Sequence, residues 1–174
     1  RLLGLPVAKM IPPFAEELQV VHYNAGEYFG LHHDAAASFQ RRELTLLIYL
    51  NDVGADTGSF GVGEGGGGGE TWFPFAPALY LSDESRTTGS GSSVNQSESG
   101  VGVMEALSQA YRLSDQSNNT GLRVKPVIGR AILFSNVRPI SSGDDDDDRP
   151  DPKAVHAALP VPLGEEKWVA NLWI

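Results

Sequence analysis

A histidine and an aspartate stand two residues apart in the segment YFGLHHD, residues 28–34. In an extended strand, alternate side chains point to the same side. His32 and Asp34 therefore share a face, and His33 points away from it. One imidazole and one carboxylate in this arrangement can occupy two neighbouring positions around a metal ion. The spacing predicts two ligands of a metal site.

A third ligand has to come from elsewhere, and the composition limits the choice. The 174 residues include four histidines and no cysteine, which excludes thiolate ligands, disulfides and cysteine nucleophiles. His22 and His156 are the histidines outside the segment, and His156 lies in the penultimate predicted strand. Two histidines and one carboxylate on one side of an iron ion leave positions open, which is typical of non-haem iron oxygenases.

Length and charge exclude several classes of protein. We expect a single domain over residues 1–174, with residues 1–17 as an N-terminal flank that reads as a start inside a larger protein. The formal net charge is -9 and no basic stripe is visible, so nucleic acid is not an expected partner. No apolar run reaches 18 residues, so no membrane span is expected. The sequence gives no indication of the oligomeric state.

Eight short strands make up most of the regular structure that the sequence predicts. They are expected around His32 and at residues 18–23, 43–50, 70–74, 122–126, 130–134, 154–157 and 167–174. The nearly continuous apolar run at 43–50 is typical of a strand buried on both faces. Eight strands in a chain of this length favour an all-β sandwich or barrel.

Glycine-, serine- and acid-rich stretches interrupt this pattern. Five glycines at 65–69 predict a flexible loop. Residues 76–120 and 136–152 are expected to be loop insertions, with a short helix at 103–111 in the first. Five aspartates at 144–148 are typical of a solvated loop, and a site for calcium or a basic partner is the alternative.

Several separate blocks of the chain, in this order, resemble the catalytic domain of prolyl 4-hydroxylases. They are LQVVHY (18–23), HHD (32–34), LTLLIYLNDV (44–53), GETWFP (69–74), GLRVKP (121–126) and the closing segment 151–174. The resemblance extends from about residue 18 to the end, outside the long insertions. It implies a mainly β fold, the double-stranded β-helix or jelly roll, that uses iron(II) and 2-oxoglutarate.

The same resemblance implies roles for individual residues. His32, Asp34 and His156 are the implied iron ligands, and Lys167 takes the place of the lysine that pairs with the distal carboxylate of 2-oxoglutarate. A buried carboxylate needs a counter-charge, which an inward-pointing ammonium supplies. The expected hydroxyl donors near the co-substrate are Tyr23, Tyr49 and Thr71, with an ordinary core position as the alternative for each tyrosine.

Three departures from the family pattern stand out. Lys167 follows the distal histidine by eleven residues where ten is usual, and the turn at 162–164 is expected to absorb the extra residue. Asp34 is followed by three alanines where an aromatic residue is common, and Leu159 stands where a cysteine is often found. None of these changes removes an implied ligand. Trp168 and Trp173, in the last strand, are expected to be core residues.

The activity that the resemblance implies is hydroxylation of peptidyl proline to 4-hydroxyproline, with succinate and CO2 as co-products and ascorbate to rescue oxidised iron. The expected substrate is a Pro-rich peptide or protein, with loops at 39–42 and 76–120 as its lid. Arg41 and Arg42 either steer an acidic peptide or lie on a solvated face. Two alternatives stay open: the same chemistry on lysine or a small molecule, and a non-catalytic module that binds metal or peptide. The resemblance also favours the endoplasmic reticulum or secretory pathway as the location.

Overall fold

Eight strands form the framework of the described part of the protein. The computed structural model describes residues 14–35, 42–54, 68–76, 104, 107–109, 111–112, 121–138 and 150–174. All eight strands overlap those that the sequence predicts. Their bounds are β1 Gln19–Tyr23, β2 Phe29–His32, β3 Leu44–Tyr49, β4 Thr71–Phe73, β5 Leu122–Val124, β6 Ala131–Ser135, β7 His156–Ala158 and β8 Lys167–Trp173.

The strands form two four-stranded sheets, with the orders β1-β8-β3-β6 and β2-β7-β4-β5. Every strand pair is antiparallel. The chain passes back and forth between the two sheets, so that each sheet interleaves early strands with late ones. This winding is the double-stranded β-helix, or jelly roll, and it confirms the predicted fold. It also makes β2 and β7 neighbours, although they are far apart in the sequence.

The central strand β3 shows how the sheets face the interior. Thr45, Leu47 and Tyr49 are buried, and the three residues that alternate with them are half-buried. The prediction that this strand is buried on both faces is therefore wrong. The apolar residues of this strand lie on two faces that are buried to different extents, because only the inner face packs inside the jelly roll.

Strand alternation also separates the two tryptophans of β8. Trp173 is buried, as predicted, but Trp168 is 36% exposed and stacks on the ring of His22 with a centroid distance of 4.0 Å. The prediction of a core position for Trp168 is therefore wrong. Its neighbours Lys167 and Val169 occupy the inner face of β8, and successive side chains point to opposite sides.

Helical structure is minor in the described part of the chain. Residues 104, 107–109 and 111–112 are helical, in agreement with the helix predicted at 103–111. A short 3-10 helix, Pro152–Ala154, precedes β7 and is capped by the Asp151 side chain. No described helix is long and apolar enough to cross a membrane. Residues 65–67, Arg41, the aspartate run and most of the proposed lid lie outside the described residues.

Candidate active site

Three side chains with metal-binding atoms meet where β2 and β7 pair. His32 ends β2 and His156 begins β7, and the two residues are partners in the sheet register. Asp34 follows two residues after His32. One ligand atom from each of the three residues lies within 4.8 Å of the others. The structure therefore brings together the two residues predicted from spacing and the distal histidine implied by resemblance.

Backbone carbonyls fix the orientation of both imidazoles. Nδ1 of His32 lies 2.8 Å from the carbonyl oxygen of Gly30, and Nδ1 of His156 lies 2.9 Å from that of Ala154. Because a carbonyl oxygen can only accept, both Nδ1 atoms carry the proton and donate. The Nε2 lone pairs are then free to bind a metal, as is typical of metal-ligating histidines.

The charge states of the ligands also suit a metal ion. Burial alone would raise the pKa of Asp34, but the neighbouring His32 and His156 rings and the hydrogen bond from Thr45 hold that pKa well below its ordinary value. Burial, with a smaller effect of His32, lowers the pKa of His156 to about 4. The carboxylate is therefore ionised and the His156 imidazole neutral near pH 7, which are the forms that bind metals.

The donor set matches iron(II). Two imidazoles and one carboxylate that converge from one side form the arrangement that non-haem iron oxygenases use. The Asp34 Oδ2 atom accepts a hydrogen bond of 2.7 Å from Thr45, while Oδ1 lies 3.6 Å from His32 Nε2. Aromatic rings of Phe73 and Phe134 pack against His156 at centroid distances of 5.3 and 5.1 Å. The rings give the buried side of the site an apolar wall.

Lys167 occupies the other predicted position, at the start of β8. It pairs with Tyr23 in the sheet register, and only 1% of it is exposed. Its Nζ donates a 2.7 Å hydrogen bond to the carbonyl of Gly69 and lies 5.3 and 5.7 Å from the ring centroids of Tyr23 and Tyr49. The turn before β8 includes Gly164 at φ 83°. Lys167 therefore keeps its inward position despite the eleven-residue spacing.

The ammonium of Lys167 is poorly compensated in the described part of the chain. Burial lowers its pKa to about 8, and the charge of Glu70 offsets this only in part. An ammonium has three donors, and the Gly69 carbonyl accepts one of them. A carboxylate that entered this pocket would supply both the missing acceptors and the counter-charge.

The three predicted hydroxyl donors lie in unlike surroundings. The Tyr49 hydroxyl donates its one proton to the carbonyl of Val124 at 3.0 Å and, because that carbonyl can only accept, the Thr71 hydroxyl donates to Tyr49 at 2.7 Å. The protons of both hydroxyls are therefore already engaged. Tyr23 has no hydrogen bond from its hydroxyl to any other described residue. Burial raises the pKa of both tyrosines, which keeps them protonated. Of these three side chains, Tyr23 is the one with a donor to spare.

Arg42 is neither a free steering residue nor a solvated one. Its guanidinium contacts both carboxylate oxygens of Glu16, and it lies 4.0 Å above the ring of Trp173. It also donates a 3.4 Å hydrogen bond to the Asp34 carbonyl. The predicted solvated face is therefore wrong for Arg42, because its charge has a partner and its plane stacks on an aromatic ring.

Sequence reasoning missed two residues beside the ligands. Thr45, which bonds the Asp34 carboxylate, is buried on the inner face of β3. Strand alternation could have identified it, because it stands four residues before the inward Tyr49. Asn136, which bonds Thr45, follows β6 and carries no signal in the sequence.

Comparison with known proteins defines the family. Residues 18–174 match the 2OG-Fe(II) oxygenase superfamily, and the chain belongs to it. Together with the His-Asp-His site, this membership identifies iron(II) and 2-oxoglutarate as its metal and co-substrate.

The sequence identity to individual relatives is 30% or lower for the three that follow. The chain is 30% identical to the probable prolyl 4-hydroxylase 3 of Arabidopsis thaliana over 91% of its own length and 42% of that protein. It is 29% identical to the transmembrane prolyl 4-hydroxylase of Mus musculus, over 94% of its own length and 30% of that protein. A solved structure of the viral collagen prolyl hydroxylase from Paramecium Bursaria Chlorella virus-1 has 23% identity and a TM-score of 0.46, covering 91% of this chain and 57% of that one. The chain spans less than half the length of these two curated relatives.

Proposed function

We propose that this chain is the catalytic domain of a dioxygenase that hydroxylates peptidyl proline in the manner of prolyl 4-hydroxylases, with succinate and CO2 as co-products. The observation that carries the proposal is the convergence of three oriented metal ligands inside a jelly roll that also buries an undercompensated lysine. Relatives named as prolyl 4-hydroxylases support proline as the acceptor.

Each site residue has a distinct task in this proposal. His32 and His156 hold iron through Nε2, and Asp34 holds it through its carboxylate. Lys167 binds the distal carboxylate of 2-oxoglutarate, and Tyr23 donates a further hydrogen bond to it. Bound iron(II) and 2-oxoglutarate would supply the oxidation with O2 as the oxidant: one oxygen atom would enter the succinate formed with loss of CO2, and the other would enter the C–H bond of the substrate.

The remaining residues of the site control solvent and access. Tyr49 and Thr71 bond each other and hold the wall beside Lys167 in place. The His32 side chain is 25% exposed, whereas His156 is buried, so the open side of the site lies at β2. Phe29 is exposed there, with its ring centroid 4.3 Å from that of His32. We propose that a Pro-rich peptide approaches from this side.

Two further parts of the proposal rest on resemblance alone. Ascorbate is the reductant that restores iron oxidised in turnovers without substrate. The endoplasmic reticulum or secretory pathway is the compartment in which the domain works.

The test is a peptide oxidation assay. The chain is incubated with iron(II), 2-oxoglutarate, ascorbate and a library of Pro-rich, Lys-containing peptides, and succinate and oxygen incorporation are measured by mass spectrometry. His32→Ala is the inactive variant, and His22→Ala changes a histidine away from the ligands. We expect succinate formation and oxygen on proline with the unsubstituted chain and with His22→Ala.

Other results of this assay identify the alternatives. Oxygen incorporated on lysine would show that lysine, and not proline, is the residue that is hydroxylated. Succinate without a peptide product would favour a small molecule. Succinate no higher than with His32→Ala would contradict the enzymatic assignment and favour a binding module.

A further inference from the structure

A buried relay of side chains stands behind the carboxylate of Asp34. The Thr45 hydroxyl lies 2.7 Å from Asp34 Oδ2, and Asn136 Nδ2 lies 2.9 Å from the same hydroxyl oxygen. An amide NH2 group can only donate, so Thr45 accepts from Asn136 and directs its own proton to Asp34. Asn136 is 0% exposed and Thr45 2%. The relay thus determines which carboxylate oxygen stays free.

The backbone of Asn136 connects to the other ligand segment. Its carbonyl accepts a 2.9 Å hydrogen bond from the Asp151 amide, and its own amide donates to the Glu43 carbonyl at 2.8 Å. Asp151 caps the 3-10 helix that leads into β7, where His156 stands. One residue therefore contacts both the strand that carries Thr45 and the segment that presents the distal histidine.

His33 adds a hydrogen bond between the segment that carries Asp34 and the segment that leads into β7. Its Nδ1 accepts from the Ala35 amide at 3.2 Å, so Nε2 carries the proton and donates to the Asp151 carbonyl at 3.0 Å. The Ala154 amide donates to the same carbonyl at 2.9 Å, and the Ala154 carbonyl orients His156. The two ligand segments are thus joined by hydrogen bonds that involve no metal.

We propose that Asn136 is a positioning residue for the iron site, acting through Thr45 on the carboxylate of Asp34. Asn136 keeps the Thr45 hydroxyl donating to Oδ2 of Asp34. Oδ1 is therefore the carboxylate oxygen that is left free for a metal, even before a metal binds. This proposal rests on the assignment of Asp34 as an iron ligand under the proposed function. Hydrogen-bond partners of metal ligands act in this way because they fix ligand orientation before the metal binds.

The test is the affinity of the 174-residue chain for Mn(II), titrated without co-substrate. Thr45→Val keeps the shape and removes the hydroxyl, and we expect it to weaken Mn(II) binding by about 10- to 100-fold. Asn136→Ala should weaken binding by about tenfold, at the lower end of the same range. Because Asn136 acts through Thr45, the double variant should bind no more weakly than Thr45→Val alone.

Two further variants separate positioning from folding. Leu47→Ala removes a buried side chain from the same face of β3, and it should lower the melting temperature of the metal-free protein without changing Mn(II) affinity. Asn136→Asp is nearly isosteric with the native residue; its ionised form cannot donate to Thr45, so it should weaken Mn(II) binding even if Asn136→Ala does not fold. Thr45→Ser keeps the hydroxyl and should retain most of the affinity.

The outcomes distinguish this inference from the proposed function. If the unsubstituted chain binds Mn(II) no better than His32→Ala, both are overturned. If it binds Mn(II) through the triad but Asn136→Asp and folded Asn136→Ala retain full affinity, only the positioning role is overturned. Additive losses in the double variant would also overturn it, because they would show that Asn136 does not act through Thr45.

Discussion

The interior has a metal end, around His32, Asp34 and His156, and a lysine end, around Lys167. The two ends differ in how many of their polar groups already have hydrogen-bond partners. At the metal end, the imidazoles of His32 and His156 donate to backbone carbonyls, and Asp34 accepts from Thr45. At the lysine end, the Lys167 ammonium bonds one carbonyl among the described residues and otherwise faces aromatic rings. The polar groups of the first region are already oriented, whereas the second lacks the acceptors and the counter-charge that a carboxylate ligand would supply.

The same physical effect, removal from water, acts in opposite ways at the two ends. Burial lowers the pKa of His156 to about 4, which produces the neutral imidazole that a metal needs. Burial also lowers the pKa of Lys167, to about 8, which works against the ammonium that a carboxylate needs. A carboxylate bound there would favour the charged form, so under the proposed function co-substrate binding is coupled to protonation of Lys167.

The largest expected effect is loss of the ligand charge at the metal end. Asp34→Asn keeps the shape but leaves no anion between the two histidines. Removing one partner of a buried charged pair costs about 3–5 kcal/mol, or roughly 10²- to 10⁴-fold in affinity. We expect Mn(II) affinity to fall by this factor and succinate formation to stop. His22→Ala serves as the control and should change neither quantity; retained Mn(II) affinity in Asp34→Asn would contradict the ligand assignment.

Lys167→Met should separate binding from stability. It removes the counter-charge of the co-substrate, so we expect the KM for 2-oxoglutarate to rise by about 10²-fold. The metal-free protein should become more stable, by roughly 1–4 kcal/mol, because an undercompensated buried charge is replaced by an apolar side chain. Thermal unfolding without ligands and succinate formation across co-substrate concentrations measure the two effects. A lower melting temperature together with an unchanged KM would show that Lys167 is structural.

The pH dependence of the lysine end follows from its lowered pKa. Below about pH 8 Lys167 is charged and binds the carboxylate; above it the neutral amine prevails in the free protein, and the KM for 2-oxoglutarate should rise by up to about tenfold per pH unit. The stability of the ligand-free protein should increase over the pH range in which co-substrate binding weakens. Between pH 8 and 10.5 the unfolded chain binds more protons at this residue than the folded one, so this contribution to stability rises with pH. In Lys167→Met both dependences should be lost.

The sequence predicted most of the metal end and little of what surrounds it. Alternation selected His32 over His33 as the partner of Asp34, and the pairing of β2 with β7 explains why the distal histidine is close. The eight strands followed from strand patterns and the jelly roll from family resemblance, whereas the order of the strands within the two sheets was not predicted. The predicted features depend on periodicity and on residue type, which a sequence displays directly.

The surrounding residues depend on tertiary contacts that a sequence does not display. Asn136 becomes important only because β6 ends beside β3, and nothing in its neighbourhood indicates that placement. Trp168 was misassigned because its apolar character suggested the core, whereas the inward Lys167 beside it requires the opposite face. Polar residues inside and an aromatic residue outside are exceptions that the chemistry of the site requires.

The smallest expected effects distinguish the two tyrosines beside Lys167. Tyr49→Phe removes the donor to the Val124 carbonyl and the acceptor of the Thr71 hydroxyl, so we expect a loss of about 1 kcal/mol in the free energy of unfolding and little change in the KM for 2-oxoglutarate. Tyr23→Phe removes a hydroxyl without a described partner, so stability should hold while the KM rises by roughly three- to tenfold, the value of one hydrogen bond. Denaturant unfolding and co-substrate titration of the two variants measure both quantities. The opposite pattern, with Tyr49→Phe raising the KM and Tyr23→Phe leaving it unchanged, would make Tyr49 the donor and show that co-substrate binding rearranges its hydrogen bonds.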